Sequence, residues 1–182
     1  MLQMLQKSSI WRTLKVFFAE PTKAHYLRDI CRKINLSPTS VRNNLAELES
    51  LGLIWQEKEQ RGLRKFPFYK ANINEKSFRL YKRINNLEDL LECGLVEFLE
   101  EKITPKAIVL FGSFQRGEDV DESDIDIFIE SKEDKVDLAK FEKVLQRKIE
   151  LHFKENFSSY PKELKNNIIN GIVVSGFLEG FR

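Results

Sequence analysis

Asp124 and Asp126 stand two residues apart in the segment Ser123-Asp124-Ile125-Asp126-Ile127. On a strand this spacing sends both carboxylates to one face and Ile125 and Ile127 to the other, where they can join a core. Two like charges so close repel each other, and a cation relieves the repulsion. Mg2+ suits the pair, because it is a hard ion that accepts carboxylates and keeps positions open for substrate phosphates. A third carboxylate is expected from a neighbouring strand. Ile149-Glu150-Leu151-His152-Phe153 offers Glu150 between apolar neighbours, on the strand face that would meet Asp124 and Asp126. Such a triad could hold two metal ions, activate an attacking hydroxyl and neutralise a leaving pyrophosphate.

A phosphate-binding turn precedes these acids. Leu110-Phe111-Gly112-Ser113 reads as a strand running into a short helix. Gly112 allows close backbone approach to a phosphate, and Ser113 offers a hydroxyl and an N–H at a helix start, where anions are favoured. Arg116 is either a further phosphate contact or a surface arginine. His152 shares a face with Glu150 and is either structural or placed behind the metal ligands. His25 falls at a helix start and carries no chemistry. The acidic run Glu118 to Asp126 lacks the central Gly and closing Glu of an EF-hand, which argues against calcium.

The elements that must position these groups follow from periodicity. Ala107 to Phe111 is a short, wholly apolar run, as expected of a buried strand. Strands are also predicted over Asp124 to Glu130, Ile149 to Phe153 and Ile172 to Leu178. Helices are predicted over Lys135 to Arg147 and Pro161 to Asn170. Between Glu75 and about Glu101, Phe78, Tyr81, Leu87, Leu91, Leu95, Phe98 and Leu99 keep a helical stripe, interrupted by Gly94. This predicts a long connecting helix that would break at Gly94. Its stripe serves either to pack within the chain or as a homodimer seam.

A different pattern opens the chain. Helical spacing runs from Ile10 to Phe18 and again from Tyr26 to Ile34. Ser37 and Pro38 then supply an N-cap and a first helical residue. Val41, Leu45, Leu48 and Leu51 mark the apolar side of a third helix, which Gly52 stops. Leu53 to Trp55 and Phe66 to Tyr69 read as two strands around a charged tip, Glu57 to Lys65. In a helix-turn-helix the second helix enters the major groove near its N-terminus. Thr39, Ser40, Arg42, Asn43 and Asn44 could reach base edges and phosphates there. Lys58, Arg61, Arg64 and Lys65 on the hairpin could follow the backbone as a wing, with Arg28, Arg32 and Lys33 adding positive charge. Residues 1–72 carry 13 Lys and Arg against 6 Asp and Glu, a net +7, and residues 73–182 carry 17 against 22, a net −5. The basic part suits a polyanion such as double-stranded DNA.

Tyr26 to Tyr69 resembles winged helix-turn-helix transcription regulators. The resemblance is carried by Ser37-Pro38-Thr39-Ser40-Val41 and by Leu48-Glu49-Ser50-Leu51-Gly52-Leu53-Ile54. Gly112-Ser113, the spacer Phe114 to Ser123 and Asp124-Ile125-Asp126 resemble the nucleotidyltransferase superfamily that includes DNA polymerase beta, above all its minimal members. That second resemblance runs from about Pro105 to Leu178 and includes Asn170 to Gly176. It implies that Asp124, Asp126 and the third carboxylate bind metal and act in catalysis, and that Gly112 and Ser113 bind a nucleoside triphosphate. Glu150 stands where many relatives have Asp.

The expected architecture is therefore α+β in three parts. Residues 1–74 form a winged helix-turn-helix of three helices and a hairpin, 75–104 a connecting helix, and 105–182 a small mixed-sheet nucleotidyltransferase fold. Two functions are open. One is a DNA-binding regulator that transfers a nucleoside monophosphate from a triphosphate to a hydroxyl, with Mg2+. The other is a non-catalytic transcription regulator, or an antitoxin-like protein beside a partner protein, whose second domain only binds nucleotide or that partner. No apolar run of about 18 residues predicts a membrane span. Met1 to Lys7 do not resemble a secretory signal. Cys31 and Cys93 have neither zinc spacing nor a close mate and are expected as reduced thiols in a cytoplasmic protein.

Overall fold

Ser37 and Pro38 do what their types predict. Pro38 is the first residue of a helix, and the Ser37 hydroxyl accepts a hydrogen bond from the Ser40 N–H at 3.2 Å. The computed structural model describes residues 8–157 and 160–179, and for residues 61 and 163 the backbone alone. The reading of Met1 to Lys7 lies outside the described residues. The chain divides into two compact units, residues 1–85 and 86–182, and the division falls inside one helix.

In the first unit, α1 (Ser9–Ala19), α2 (Leu27–Ile34) and α3 (Pro38–Ser50) precede an antiparallel pair, β1 (Ile54–Arg61) and β2 (Arg64–Ala71). Gly62 turns the hairpin at φ +62°, a left-handed conformation that glycine adopts without strain. Leu14, Phe17, Phe18, Ile30, Val41, Leu45, Leu48, Leu53 and Tyr69 fill one core. His25 is buried and structural. Its backbone pairs both ways with Tyr69, its Nε2 lies 3.0 Å from the Glu20 carbonyl, and its ring edge meets Phe17.

Glu20 itself is paired with Lys33 and Lys23, and these contacts hold its carboxyl down at about 2, against an ordinary value of 4.5. A depressed folded pKa stabilises the fold above pH 4.5 and loses that contribution as the pH falls toward 2. Because both lysine partners are exposed, solvent screens the contacts and the effect is small. Glu20→Gln is expected to lower stability slightly at neutral pH and to flatten its decline between those values. Chemical unfolding at a series of pH values measures this, and a decline as steep as in the parent chain would contradict the assignment.

Next comes α4 (Lys76–Glu92), then α5 (Leu95–Ile103). The expected long helix breaks at Gly94, which sits at φ +75°. Of its apolar stripe, Phe78, Leu95 and Leu99 are buried, whereas Tyr81 and Leu91 are exposed.

The second unit is built on a four-stranded mixed sheet. Its strands are β3 (Ala107–Phe111), β4 (Ile125–Ile129), β5 (Ile149–Phe153) and β6 (Ile172–Gly176), in the order β5-β4-β3-β6. β3 runs antiparallel to β4 and β6, and β4 parallel to β5. Alternation sorts the side chains into two cores. Ile108, Leu110, Ile125, Ile127 and Ile129 face α5 and α7 (Ala139–Leu145). Val109, Phe111 and Phe128 face Phe157 and Ile168, the latter on α8 (Lys162–Ile169). Every residue of β3 is buried, as its unbroken apolar run requires. Between β3 and β4 lies the five-residue α6 (Gly112–Arg116).

One helix is much shorter than its sequence predicts. The helix expected over Lys135 to Arg147 forms only as α7. The Asp134 carboxylate accepts from the Lys135 N–H at 2.7 Å and the Asp137 carboxylate from the Ala139 N–H at 3.0 Å. Aspartates that bind nearby backbone N–H groups compete with a helix. At the other end Gln146 adopts φ +53°, which turns Arg147 out of the helix.

Candidate active site

Asp126 is the centre of the arrangement. It lies opposite Phe111, the last residue of β3, and pairs in parallel register with Glu150 of β5. His152 follows Glu150 by two residues and therefore shares its face. Its Nε2 is 3.4 Å from Asp126 Oδ1 and 3.9 Å from Glu150 Oε2, and its ring edge meets Phe111. One donor atom from each of Asp126, Glu150 and His152 lies within 4.8 Å of the others. All three reach solvent, with side-chain exposures of 27%, 58% and 29%. The Asp126 carboxylate, by its hydrogen bond, holds the imidazole pKa above its usual value against the opposing effect of burial, and charge from both acids adds to the rise.

Gly112 is tied to this group by sterics. It adopts φ +78°, and a Cβ built on it would lie 2.1 Å from Asp126 Oδ2. Only glycine lets β3 turn into α6 while Asp126 keeps its place. Gly112→Ala is therefore expected to leave the overall fold in place and to turn the Asp126 carboxylate aside. A shift of a reacting group by about 1 Å lowers a catalysed rate on the order of a hundredfold, and a loss of that order is expected of the chemistry done here. Circular dichroism with steady-state rates checks this, and an alanine variant with parental rates would contradict it.

Asp124, the other half of the sequence pair, is half-buried in the loop one residue before β4 and lies outside the Asp126–Glu150–His152 group. The strand expected from Asp124 begins at Ile125 instead. Ser113 is half-buried in α6 beside Gly112, and Arg116 ends that helix exposed, its Nε donating to Glu118 at 2.7 Å.

The loop that delivers Asp124 is held by groups that sequence reasoning did not single out. Asp119 accepts from Asn86 Nδ2 at 2.8 Å and pairs with Arg147 at 3.0 Å, with side-chain exposures of 7% for the arginine and none for the aspartate. Asn86 also donates to the Phe114 carbonyl at 2.8 Å, and Arg147 to the Val120 carbonyl. Ser123 closes the loop, its hydroxyl accepting from the Val120 N–H at 2.9 Å. A carboxylate deep in an acidic run and an arginine 28 residues later share no periodicity, so no local signal links them.

In the first unit Thr39, Arg42 and Asn43 are exposed on α3, and Ser40 is half-buried. Asn44 does not share their surface. It is buried, donating to Thr13 Oγ1 at 2.9 Å and accepting from Ser9 at 3.2 Å. Lys58, Arg64 and Lys65 are exposed on the hairpin, and Arg61 ends β1. Arg32 and Lys33 are engaged with Asp29 and Glu20.

Comparison with known proteins bears on the second unit. A family model described as nucleotidyltransferase domain matches residues 92–174. A Methanocaldococcus jannaschii protein named as a "putative protein adenylyltransferase" is 38% identical over 83 residues, spanning 40% of this chain and 83% of its own length. No solved structure matches the chain. The matched segment includes the glycine turn, Asp124, Asp126, Glu150 and His152, and on these grounds the chain belongs to the nucleotidyltransferase domain family.

Proposed function

We propose that this chain is a cytoplasmic DNA-binding regulator that transfers a nucleoside monophosphate from a triphosphate to a hydroxyl acceptor with the help of a divalent metal ion. The observation that carries the transfer reading is the register of Asp126 beside Glu150 with Gly112 packed against Asp126. Two carboxylates side by side on adjacent strands repel unless a cation joins them, so the donor set fits a metal ion. Mg2+ is the ion that family resemblance implies, and it would neutralise the charge of the triphosphate. Asp126 and Glu150 hold it, with Asp124 assigned from the adjoining loop. Gly112 and Ser113, at the turn out of β3, bind the triphosphate, and Arg116 lies one helical turn on. The acceptor hydroxyl attacks the α-phosphorus and pyrophosphate leaves. The adenylyltransferase name of the relative makes ATP the first nucleotide to test.

The DNA-binding half of the proposal rests on the order helix, helix, helix, hairpin and on the net +7 of residues 1–72. In it residues 1–74 are a winged helix-turn-helix, 75–104 the connection and 105–182 the transferase domain. Thr39, Ser40, Arg42 and Asn43 read the duplex, and Lys58, Arg61, Arg64 and Lys65 follow its backbone. Arg42→Ala is expected to weaken binding to a selected duplex by about 1–3 kcal/mol and to relax its sequence preference. Arg64→Ala is expected to weaken all duplexes alike and to reduce the salt dependence by about one ion. Fluorescence anisotropy against duplexes from a selection experiment checks both. Failure of the parent chain to bind any duplex would remove this half and leave the transfer site untouched.

A further inference from the structure

The donor group contains an imidazole as well as two carboxylates, and this bears on which metal ion the site prefers. We infer that His152 Nε2 is itself a metal ligand, and that the site favours a transition-metal dication over Mg2+. The inference rests on the reading of Asp126 and Glu150 as a metal site. Donor atoms around one small dication lie about 3–3.5 Å apart, since each is about 2.0–2.2 Å from it. His152 Nε2 stands 3.4 Å from Asp126 Oδ1 and 3.9 Å from Glu150 Oε2, close to that spacing with no change of strand register. Phe111 rests against the ring and limits its freedom. The three groups are also open enough for an ion to enter, since none is fully buried.

The chemistry follows from ligand type. Mg2+ takes oxygen ligands and keeps several waters, whereas imidazole nitrogen favours the later divalent ions. A nitrogen beside two carboxylates therefore adds little for Mg2+, more for Mn2+ and most for Co2+ or Zn2+. Asp124 is not one of the three clustered residues, and His152 supplies the third donor beside Asp126 and Glu150.

Mn2+ alone serves as the probe, because its paramagnetism reports directly on bound nitrogen. Pulsed electron paramagnetic resonance of the full chain with Mn2+ is expected to show the modulation of a coordinated imidazole nitrogen. His25 is buried at 5% exposure, so the signal belongs to His152. His152→Leu, and His152→Gln as a second variant should leucine disturb the fold, are expected to lose the modulation. They should also lose roughly tenfold or more in Mn2+ affinity while Mg2+ competition changes little. Bound Mn2+ without nitrogen modulation, released by Asp126→Asn and unaffected by His152→Leu, would overturn the inference and leave the carboxylate site standing. Absence of any Mn2+ or Mg2+ binding to the parent chain would overturn both.

Discussion

Asp126→Asn is expected to lower nucleotidyl transfer by at least about a thousandfold, because the substitution halves the charge of the carboxylate pair that holds the metal ion. The same change neutralises the group facing His152 Nε2 while nearly preserving side-chain volume. Stability should therefore change little, or rise, since like charges opposite each other on adjacent strands are relieved. Activity lost with stability kept is the signature of a functional residue. Steady-state rates and thermal unfolding on the same preparation measure both. An Asn variant with rates within a few-fold of the parent would remove Asp126 from the machinery.

The largest effect on stability is expected at Arg147. Arg147→Met leaves a fully buried carboxylate, Asp119, without its guanidinium partner. Breaking a buried pair from one side costs about 3–5 kcal/mol, because the remaining charge is left in a poorly solvated place. The double replacement Asp119→Leu with Arg147→Met is expected to recover most of that loss, as well-packed apolar groups often replace a buried pair at little cost. Denaturant unfolding of the second unit's transition in the full chain measures the cycle. A loss in the double variant equal to the sum of the losses of Arg147→Met and Asp119→Leu taken alone would show that the pair is not coupled. Transfer should also fall in the single variant, because Arg147 and Asp119 hold the loop on which Asp124 sits.

Much of the second unit was legible in the chain. Four strands form within two residues of their predicted limits, because short segments rich in Ile, Val, Leu and Phe and bounded by Gly or charged residues leave little choice. The apolar neighbours of Glu150 point to a strand, and the parallel register puts that strand residue beside Asp126. Asp124 was harder to place. Alternation gives two carboxylates one face only if both lie in the strand, and β4 begins one residue too late. Asn44 shows the opposite problem. It sits three residues after Val41 and four before Leu48, on the buried side of α3, but its polar type suggested a surface role. Its amide is satisfied by Ser9 and Thr13 of α1, partners that helical spacing cannot foresee. Arg147 and Asp119 were missed for the same reason, since ion pairs between distant segments leave no periodic trace.

In the proposed reaction this chain moves the nucleoside monophosphate part of a triphosphate. The direct test incubates the full chain with ATP labelled at the α-phosphate or, separately, at the γ-phosphate, with Mg2+ or Mn2+ and with cell lysate as the source of acceptor. The α-label is expected to become attached to an acceptor and the γ-label to leave in pyrophosphate, with both signals absent for Asp126→Asn. Attachment of the γ-label, or no transfer from any of the four nucleoside triphosphates with either metal ion, would contradict the proposed reaction.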